Sequence, residues 1–323
     1  MTIVFSVFLL TLLVLTAMSM VRTGNLFIAT MLAGIFSLLL ALNFFLLDAA
    51  DVALTEAAVG AGISTVLFLG ALALTAEREV KTAQNRIWAL IAVTVATFVV
   101  LYATFDMPHF GDANAPSQGH VAPWYLENTA TDIDIPNVVT AVLGSYRGYD
   151  TLGEVFVVFT AAIGVLFLLG GKSPDYRLAR ANQGLRHHLI PRVVGRLLVP
   201  FILLFGLYVQ FHGEYSPGGG FQAGALIAAS VILYALLEGE AAALRAIPRW
   251  FLHGMAAGGA LLYCGVGIVC MLMGGNFLDY SVLSANPVDG QHLGILFIEL
   301  GVGIAVTGAL LSIFHAFAAR GRF

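Results

Sequence analysis

Residues 2–21 read TIVFSVFLLTLLVLTAMSMV, an apolar run with no charged side chain that ends at Arg22. About 20 consecutive apolar residues form a helix long enough to cross the hydrocarbon core of a membrane. The run has neither the basic start nor the small-residue cleavage site of a signal peptide. We therefore expect a retained membrane helix.

Similar apolar runs recur along the whole chain. Hydrophobic residues make up 59% of the 323 residues and charged residues 11%, and the mean hydropathy is +0.91. Soluble domains carry roughly 25% charged residues, so this composition excludes a mainly soluble protein. We predict an all-α integral membrane protein with about nine transmembrane helices. They lie near residues 2–21, 25–47, 50–75, 87–105, 150–170, 193–211, 220–238, 251–274 and 291–317.

The positive charges alternate with the predicted helices. Lysine and arginine residues follow the first, third, fifth and seventh helices and the last one, with Arg147 as the exception. Loops rich in these residues stay in the cytoplasm. We therefore expect the N-terminus outside and the C-terminus in the cytoplasm. The loop 106–134 then faces outside, as does the turn after His212.

Polar stretches divide the chain into parts. The connector at 171–192 separates five predicted helices from the four that follow, and the long outer loop suggests a further seam in the first part. Residues 137–149 mix apolar residues with Arg147, which indicates either an interfacial or a pre-helix segment leading into the fifth helix.

Three carboxylates lie inside predicted helices, where an ionisable group costs at least a few kcal/mol. Glu56, Glu154 and Glu299 each lie roughly 6–12 Å below the outer end of a helix, at 1.5 Å per residue. Desolvation favours the neutral form of a carboxyl group, so such acids suit the exchange of a proton for a cation. The alternative is a protonated acid that is hydrogen-bonded to a neighbouring helix.

Asp51 and Asp150 precede two of these acids and lie nearer the membrane boundary. Asp51 is five residues before Glu56, about 140° around the helix, so the two do not share a face. Either aspartate belongs to the ion path, or it simply lies at the boundary.

Residues 212–222 read HGEYSPGGGFQ and join the sixth and seventh helices on the outer side. Three consecutive glycines permit a re-entrant or tightly turned backbone. Either His212 and Glu214 lie at the mouth of an ion path, or the segment is a tight hairpin with incidental polar residues. We predict that His253 and His315, near helix ends, are interfacial.

Some chemistry is missing from the sequence. No lysine lies in a predicted helix, so the chain lacks the buried lysine that switches charge in proton pumps. Cys264 and Cys270 are six residues apart, a spacing that fits neither a disulfide framework nor a metal site. Haem, flavin and cluster motifs are also absent. We therefore expect no cofactor and no enzymatic activity, and place any redox chemistry in partners.

Several stretches resemble parts of the Mrp/Mnh multi-subunit cation/proton antiporters. Residues 51–62, DVALTEAAVGAG, resemble the hydrogenase D-like domain at the C-terminal end of the large A subunit. Residues 137–169, which include YRGYDTLGE at 146–154, resemble the E-like domain that follows it. The segment 212–222 and the stretch IELGVG at 298–303 resemble the B subunit. These stretches follow one another along the chain in the same order as the corresponding parts of the family's subunits.

The resemblance implies a fused subunit in a prokaryotic cell membrane. It implies a D-like domain over 1–105, an outer loop and E-like domain over 106–170, a cytoplasmic connector over 171–192 and a B-like four-helix domain over 193–323. It implies as partners large antiporter-like subunits with a lysine and glutamate relay and small complex I-like subunits, besides lipid, Na⁺ and H⁺. Because the lysine-bearing domain is missing, the chain alone should not exchange ions. No nucleic-acid partner is expected.

By the same resemblance, Glu56 and Glu154 match acids of the family's sodium or proton path. We expect these two acids to share one water-accessible path, so that their substitutions have non-additive effects. Membrane-bound hydrogenases and complex I use the same modules, so a redox-driven complex stays an alternative. The other alternative is a docking subunit whose acidic residues serve packing.

Overall fold

The computed structural model describes residues 2–80, 86–109, 111–169, 185 and 188–320. Within these ranges the chain is helical, and nine helices are long and apolar enough to cross a membrane, as predicted. We number these membrane-spanning helices α1 to α9. They are Thr2–Arg22, Leu26–Leu46, Ala50–Leu72, Arg86–Thr104, Gly148–Leu169, Leu189–His212, Gly220–Glu238, Arg249–Leu272 and Pro287–Ala318.

The helix limits are close to those expected, with two clear extensions. Helix α6 begins at Leu189, four residues before its predicted start. Helix α9 begins at Pro287, four residues before its predicted start. Proline suits the first helical turn because its fixed φ is helical and it has no N–H to satisfy. The Asn286 side chain accepts a hydrogen bond from Val288 N and caps the helix. Most of the connector predicted at 171–192 lies outside the described residues.

Helix α3 is irregular at one of the predicted acids. Residues Glu56–Ile63 form a π-helix between two α-helical stretches. A Cβ at Gly60 would lie 2.5 Å from Glu56 Oε1 and 2.7 Å from Ser37 Oγ of α2. Glycine at this position therefore lets the Glu56 carboxylate lie against α2. Such π-turns occur often at functional sites.

The segment before α5, which we predicted to face outside and call the outer segment, is more ordered than a loop. It contains the short helices Pro116–Gly119, Val121–Asp132 and Val138–Ala141, followed by a π-turn at Val142–Tyr146. The Tyr146 hydroxyl donates a hydrogen bond to Asp132 Oδ2 at 3.1 Å. The segment predicted at 137–149 is thus a broken helix that leads into α5.

A buried tyrosine, Tyr280, fixes this π-turn to the segment between α8 and α9. The Tyr280 hydroxyl donates to Gly144 O at 3.1 Å. Burial and the neighbouring Tyr263 raise the pKa of Tyr280 well above its usual value. The hydroxyl therefore keeps its proton and remains a donor at every physiological pH.

Helix α9 is the centre of the molecule. It packs against α7 and α8, and also against α5 from the first half of the chain. Its buried face consists largely of small residues, which let helix backbones approach closely in lipid. Helix α4, in contrast, buries none of its residues against the rest of the described chain. Every face of that helix can therefore contact lipid or a partner protein.

The contact between α8 and α9 allows a matched pair of substitutions. A Cβ at Gly259 would meet Ala305 N and Gly301 O, and would lie 2.8 Å from Ala305 Cβ, whereas a Cβ at Gly258 meets no atom within 4 Å. We expect Gly259→Ala to lower the free energy of unfolding by about 1–3 kcal/mol because backbone must shift. Gly258→Ala should be neutral or slightly stabilising, since alanine favours helix. Thermal unfolding of the purified chain measures both, and equal effects would contradict the packing described.

Candidate ion-binding site

The glycine-rich segment between α6 and α7 is a tight turn. Tyr215 N and Ser216 N donate to His212 O at 3.0 and 3.1 Å, and Gly219 N donates to Val209 O at 3.3 Å. Gly219 has a φ of +133°, which side chains other than glycine rarely adopt. The turn folds back on the end of α6 and places the first residues of α7 inside the protein.

One asparagine from the outer segment anchors this turn. Asn137 Nδ2 donates to Gly213 O at 3.2 Å and to Ser216 O at 3.1 Å, and it lies 3.4 Å from Asp51 Oδ1. Asp51 Oδ1 also accepts a hydrogen bond from Gly218 N at 3.3 Å. Three separate parts of the chain, represented by α3, the segment before α5 and the α6–α7 turn, therefore meet at Asn137.

Glu299 lies where α7 begins. Its Oε2 accepts a hydrogen bond from Gly220 N, one of the helix N–H groups that have no partner inside the helix. A Cβ at Gly219 would lie 3.1 Å from the same oxygen. The glycines thus let the positive end of the α7 dipole approach the Glu299 carboxylate and hold it in position.

A cavity of about 530 Å³ lies beside Glu299. Its walls include three carboxylates from three different helices: Asp51 of α3, Glu154 of α5 and Glu299 of α9. Hydroxyl and amide groups add further oxygens, from Thr55, Thr140, Thr151 and Gln222. Gln222 Nε2 donates to Thr55 Oγ1 at 2.8 Å, which links α7 to α3 across the cavity wall.

The carboxylates surround a space rather than close on a fixed ion. Among the described residues, no three histidine, cysteine or acidic side chains converge closely enough to hold a metal ion. Carboxylate, hydroxyl and amide oxygens are nevertheless the ligands that hard cations prefer. The arrangement therefore suits passage of a partly hydrated cation or a proton better than tight binding.

Glu299 also lines a second cavity, of about 230 Å³. It is lined by Glu214 and His292, whose Oε2 and Nδ1 atoms are 3.3 Å apart. Thr140, Gly219 and Glu299 line both cavities. The Glu299 side chain is thus shared by a cavity that includes Glu154 and a cavity that includes Glu214.

The remaining predicted residues lie elsewhere. Glu56 is against α2 beside Ser37 and is not part of either cavity wall. Asp150 forms a 2.5 Å ion pair with Arg147, with both side chains more than half exposed, so the exceptional arginine has a local partner. His212 stacks between Tyr208 and Tyr215, with ring centroids 4.7 and 5.7 Å apart.

Several polar residues of the site were not predicted. His292 was not singled out from the sequence, and Asn137, Thr140 and Gln222 carry no charge, so a search for buried charges does not find them. His292 had a detectable signal, because it precedes Glu299 by seven residues and therefore shares its helix face. The positions of Asn137 and Thr140 carried no such signal, since neither lies in a predicted span.

His315 corrects one expectation. We predicted an interfacial side chain, but only 3% of it is exposed. The last turn of α9 is covered by α8 and by the short helix Glu240–Ala246, because the small residues of α9 allow these elements to pack closely.

Three known protein families match this chain, in the same order along the sequence as the three resemblances described above. Residues 11–77 match the family described as the D subunit of MBH, and residues 86–182 match that of the MBH E subunit. Residues 190–312 match the domain related to the MnhB subunit of Na⁺/H⁺ antiporter. A chain with these modules and nine apolar helices is a multi-pass prokaryotic membrane protein of the ion-transport class.

Individual proteins that are similar to this chain indicate which members of the ion-transport class it resembles. The chain is 34% identical over 128 residues to the putative antiporter subunit mnhB2 of Staphylococcus aureus, covering 39% of this chain and 90% of that protein. It is 27% identical over 325 residues to the A/B subunit of a probable K⁺/H⁺ antiporter of Rhizobium meliloti, covering 89% of this chain and 31% of that protein. An uncharacterized protein of Methanocaldococcus jannaschii is 30% identical over 248 residues, covering 68% of this chain and 88% of that one.

Two solved structures are also similar. A chain of the Mrp complex from Dietzia sp. aligns with a TM-score of 0.77 and 27% identity, covering 98% of this chain and 35% of that one. A chain of the archaeal membrane-bound sulfane sulfur reductase aligns with a TM-score of 0.55 and 30% identity, covering 71% and 95%. The protein belongs to the Mrp/Mnh family of multi-subunit cation/proton antiporters, as a fused subunit with MbhD, MbhE and MnhB domains. It spans about a third of the Rhizobium and Dietzia chains.

Proposed function

We propose that this protein contributes the cavity between Asp51, Glu154 and Glu299 as a site where Na⁺ and protons compete. The proposal depends chiefly on one observation, that carboxylates from α3, α5 and α9 line the same cavity. Three acids around one space repel each other when all are ionised, so a bound cation or a proton is needed to compensate them. Binding one releases the other, which is the exchange that an antiporter performs.

The second cavity supplies a route to this site. Glu214 and His292 are among the polar residues that line it, and Glu299 lines both cavities. A small rotation of the Glu299 side chain would carry a proton from one cavity to the other. We assign Glu299 the central role for this reason and place Glu214 and His292 on the access route.

The site also implies a partner. Glu154 is exposed in the isolated chain although it lies in a membrane-spanning helix. A charged side chain is not stable against lipid. We propose that a neighbouring protein of the antiporter covers the cavity beside α5. Lysine-bearing and small complex I-like subunits remain the partners we expect, and exchange should require the assembled complex.

Glu56 lies apart from the proposed cation and proton site. It lies at the π-turn of α3 against α2, while Asp51 of the same helix lines the cavity. The shared path of Glu56 and Glu154 stays a prediction. The domain limits 1–105, 106–170, 171–192 and 193–323 are likewise proposals.

Substitution of Glu154 tests the function. In inside-out vesicles containing the assembled complex, Glu154→Gln should reduce cation-dependent proton transport at least about tenfold, since a buried cation would lose one charged partner. Glu127→Gln, an exposed acid of the outer segment, is the matched control and should leave transport unchanged. Full transport in the Glu154 variant would favour a docking role for this protein.

The orientation of the chain is a separate proposal, motivated by the lysine and arginine pattern. After replacement of Cys264 and Cys270 by serine, single cysteines at Asp112 and Arg245 would probe exposed positions on opposite sides. We expect an impermeant thiol reagent to label position 112, and not position 245, in intact cells. The reverse labelling would invert the topology.

A redox-driven complex is the second candidate, favoured by the similarity to the sulfane sulfur reductase chain over 71% of this chain. The two candidates differ in their driving force. An antiporter supports exchange driven by an imposed ion gradient alone. A redox-driven complex needs an electron donor before it moves ions.

A further inference from the structure

The side-chain amide of Gln222, in the first turn of α7, has a fixed orientation. Its Nε2 donates to Thr55 Oγ1 at 2.8 Å, and Thr55 Oγ1 donates its one hydrogen to Asp51 O at 2.9 Å. The reverse amide orientation would put an oxygen at the position of Nε2, although the Thr55 hydroxyl has no second hydrogen to give. The amide nitrogen therefore faces α3, and the amide oxygen Oε1 lies on the other side of the group.

That amide oxygen lies close to the Glu299 carboxylate. Gln222 Oε1 and Glu299 Oε2 are 3.3 and 3.1 Å from the position that a Cβ of Gly219 would occupy. Gly219 has no side chain, so no protein atom fills this position on the cavity wall. Both oxygens are acceptors when Glu299 is ionised, and two acceptors near one point need a cation or a donated hydrogen between them.

Two buried threonines of the same cavity add oxygens of the same kind. Thr140 Oγ1 donates to Gly213 O at 2.7 Å, and Thr151 Oγ1 donates to Leu143 O at 2.8 Å. A carbonyl oxygen cannot donate, so each hydroxyl uses its one hydrogen there and keeps only lone pairs for the cavity. Neutral oxygens of this kind, beside carboxylates, are the ligands that hard cations prefer.

We propose that Gln222 Oε1 is a ligand for the cation beside Glu299 and determines how well the cavity prefers that cation to a proton. This role rests on the function proposed above and assigns the selectivity of that site to a neutral residue. A proton needs only the carboxylate, whereas a cation that leaves part of its hydration shell needs replacement oxygens. The positive end of α7 at Gly220 opposes a cation here, so binding should be weak enough for exchange.

Replacing Gln222 with methionine tests this role, because the side chain keeps its length and loses its oxygen. Transport is measured in inside-out vesicles containing the assembled complex, at fixed pH and varied NaCl. Gln222→Met should raise the apparent KM for Na⁺ more than about threefold, since one neutral ligand is lost. The maximal rate should change less, because Glu299 remains. Gln291→Met is the matched control: Gln291 accepts from Ser145 Oγ, lines neither cavity, and its loss should leave KM unchanged.

Thr55 gives an independent measurement as a positioning residue. Thr55→Val removes the hydroxyl that orients the Gln222 amide, so it should also raise the KM for Na⁺, whereas Thr55→Ser should restore the wild-type value. General damage to helix packing would lower the maximal rate without this difference in KM. If Gln222→Met does not assemble, equal KM values for the two Thr55 variants would overturn the proposal.

The direction of the change in KM separates the possible roles of the amide oxygen. A KM for Gln222→Met that stays within about threefold of the wild type would exclude this oxygen as a cation ligand. A KM below the wild-type value would mean that the oxygen serves only a protonated Glu299, by accepting its hydrogen, and would also overturn the proposal. Failure of the cavity function itself is distinguishable, because Glu299→Gln would then transport normally whatever the Gln222 variant does.

Discussion

Replacing Glu299 with glutamine is expected to lower cation-dependent proton transport by the assembled complex at least about a hundredfold. Removing one partner from a buried charged group costs about 3–5 kcal/mol, and Glu299 is the one carboxylate in the described part of the chain that lines both cavities. Glutamine retains the volume of the side chain and an oxygen that can accept from Gly220 N. The substitution therefore removes the charge and the exchangeable proton while preserving the packing of α7 on α9.

The control for this experiment comes from the same helix. Asp289 is an exposed acid in the first turn of α9, and Asp289→Asn should change transport little. Both variants are assayed in inside-out vesicles at equal amounts of assembled complex. Glu299→Gln with normal transport would exclude this residue from the ion path and return it to a packing role.

Replacing Asn137 with alanine is expected to have the largest effect on stability. The side chain donates to Gly213 O and Ser216 O, and its Oδ1 caps the following helix by accepting from Val139 N. Loss of two partly buried hydrogen bonds and a cap should lower the free energy of unfolding by roughly 2–5 kcal/mol. The turn that positions Gly220 against Glu299 would lose its anchor, so transport should fall as well.

Asn128 provides the comparison. It lies in the same outer segment, is partly exposed, and makes a local hydrogen bond to Trp124 O at 2.8 Å. Asn128→Ala should cost no more than about 0.5 kcal/mol, as surface substitutions usually do. Similar melting temperatures for the two variants in detergent would show that Asn137 does not anchor the turn.

The membrane-spanning helices could be predicted because the signal for each is contained in one stretch of sequence. A run of about 20 apolar residues needs no knowledge of its neighbours. The helix Val121–Asp132 could not be found in this way, since it has only 12 residues and mixes apolar with polar ones. Its position depends on the packing of Trp124 and Tyr125 against Tyr146, which is distant from them in sequence.

The candidate site was only partly predictable for a related reason. Sequence placed Glu56, Glu154 and Glu299 at similar depth, but depth does not determine which helices are adjacent. That adjacency is set by close approach at glycines, such as Gly220 and Gly224 of α7 against α9. It brings Glu299 to the cavity of Glu154, while the π-turn places Glu56 beside α2.

A double-substitution cycle on Glu154 and Glu299 tests the central claim most directly. Transport is measured in vesicles for the wild type, Glu154→Gln, Glu299→Gln and the variant with both changes. If the two carboxylates serve one cavity, the double variant should be no worse than the more impaired single variant, because either change already breaks the same site. Losses in the double variant that equal the sum of the two single losses in free energy would contradict a shared site.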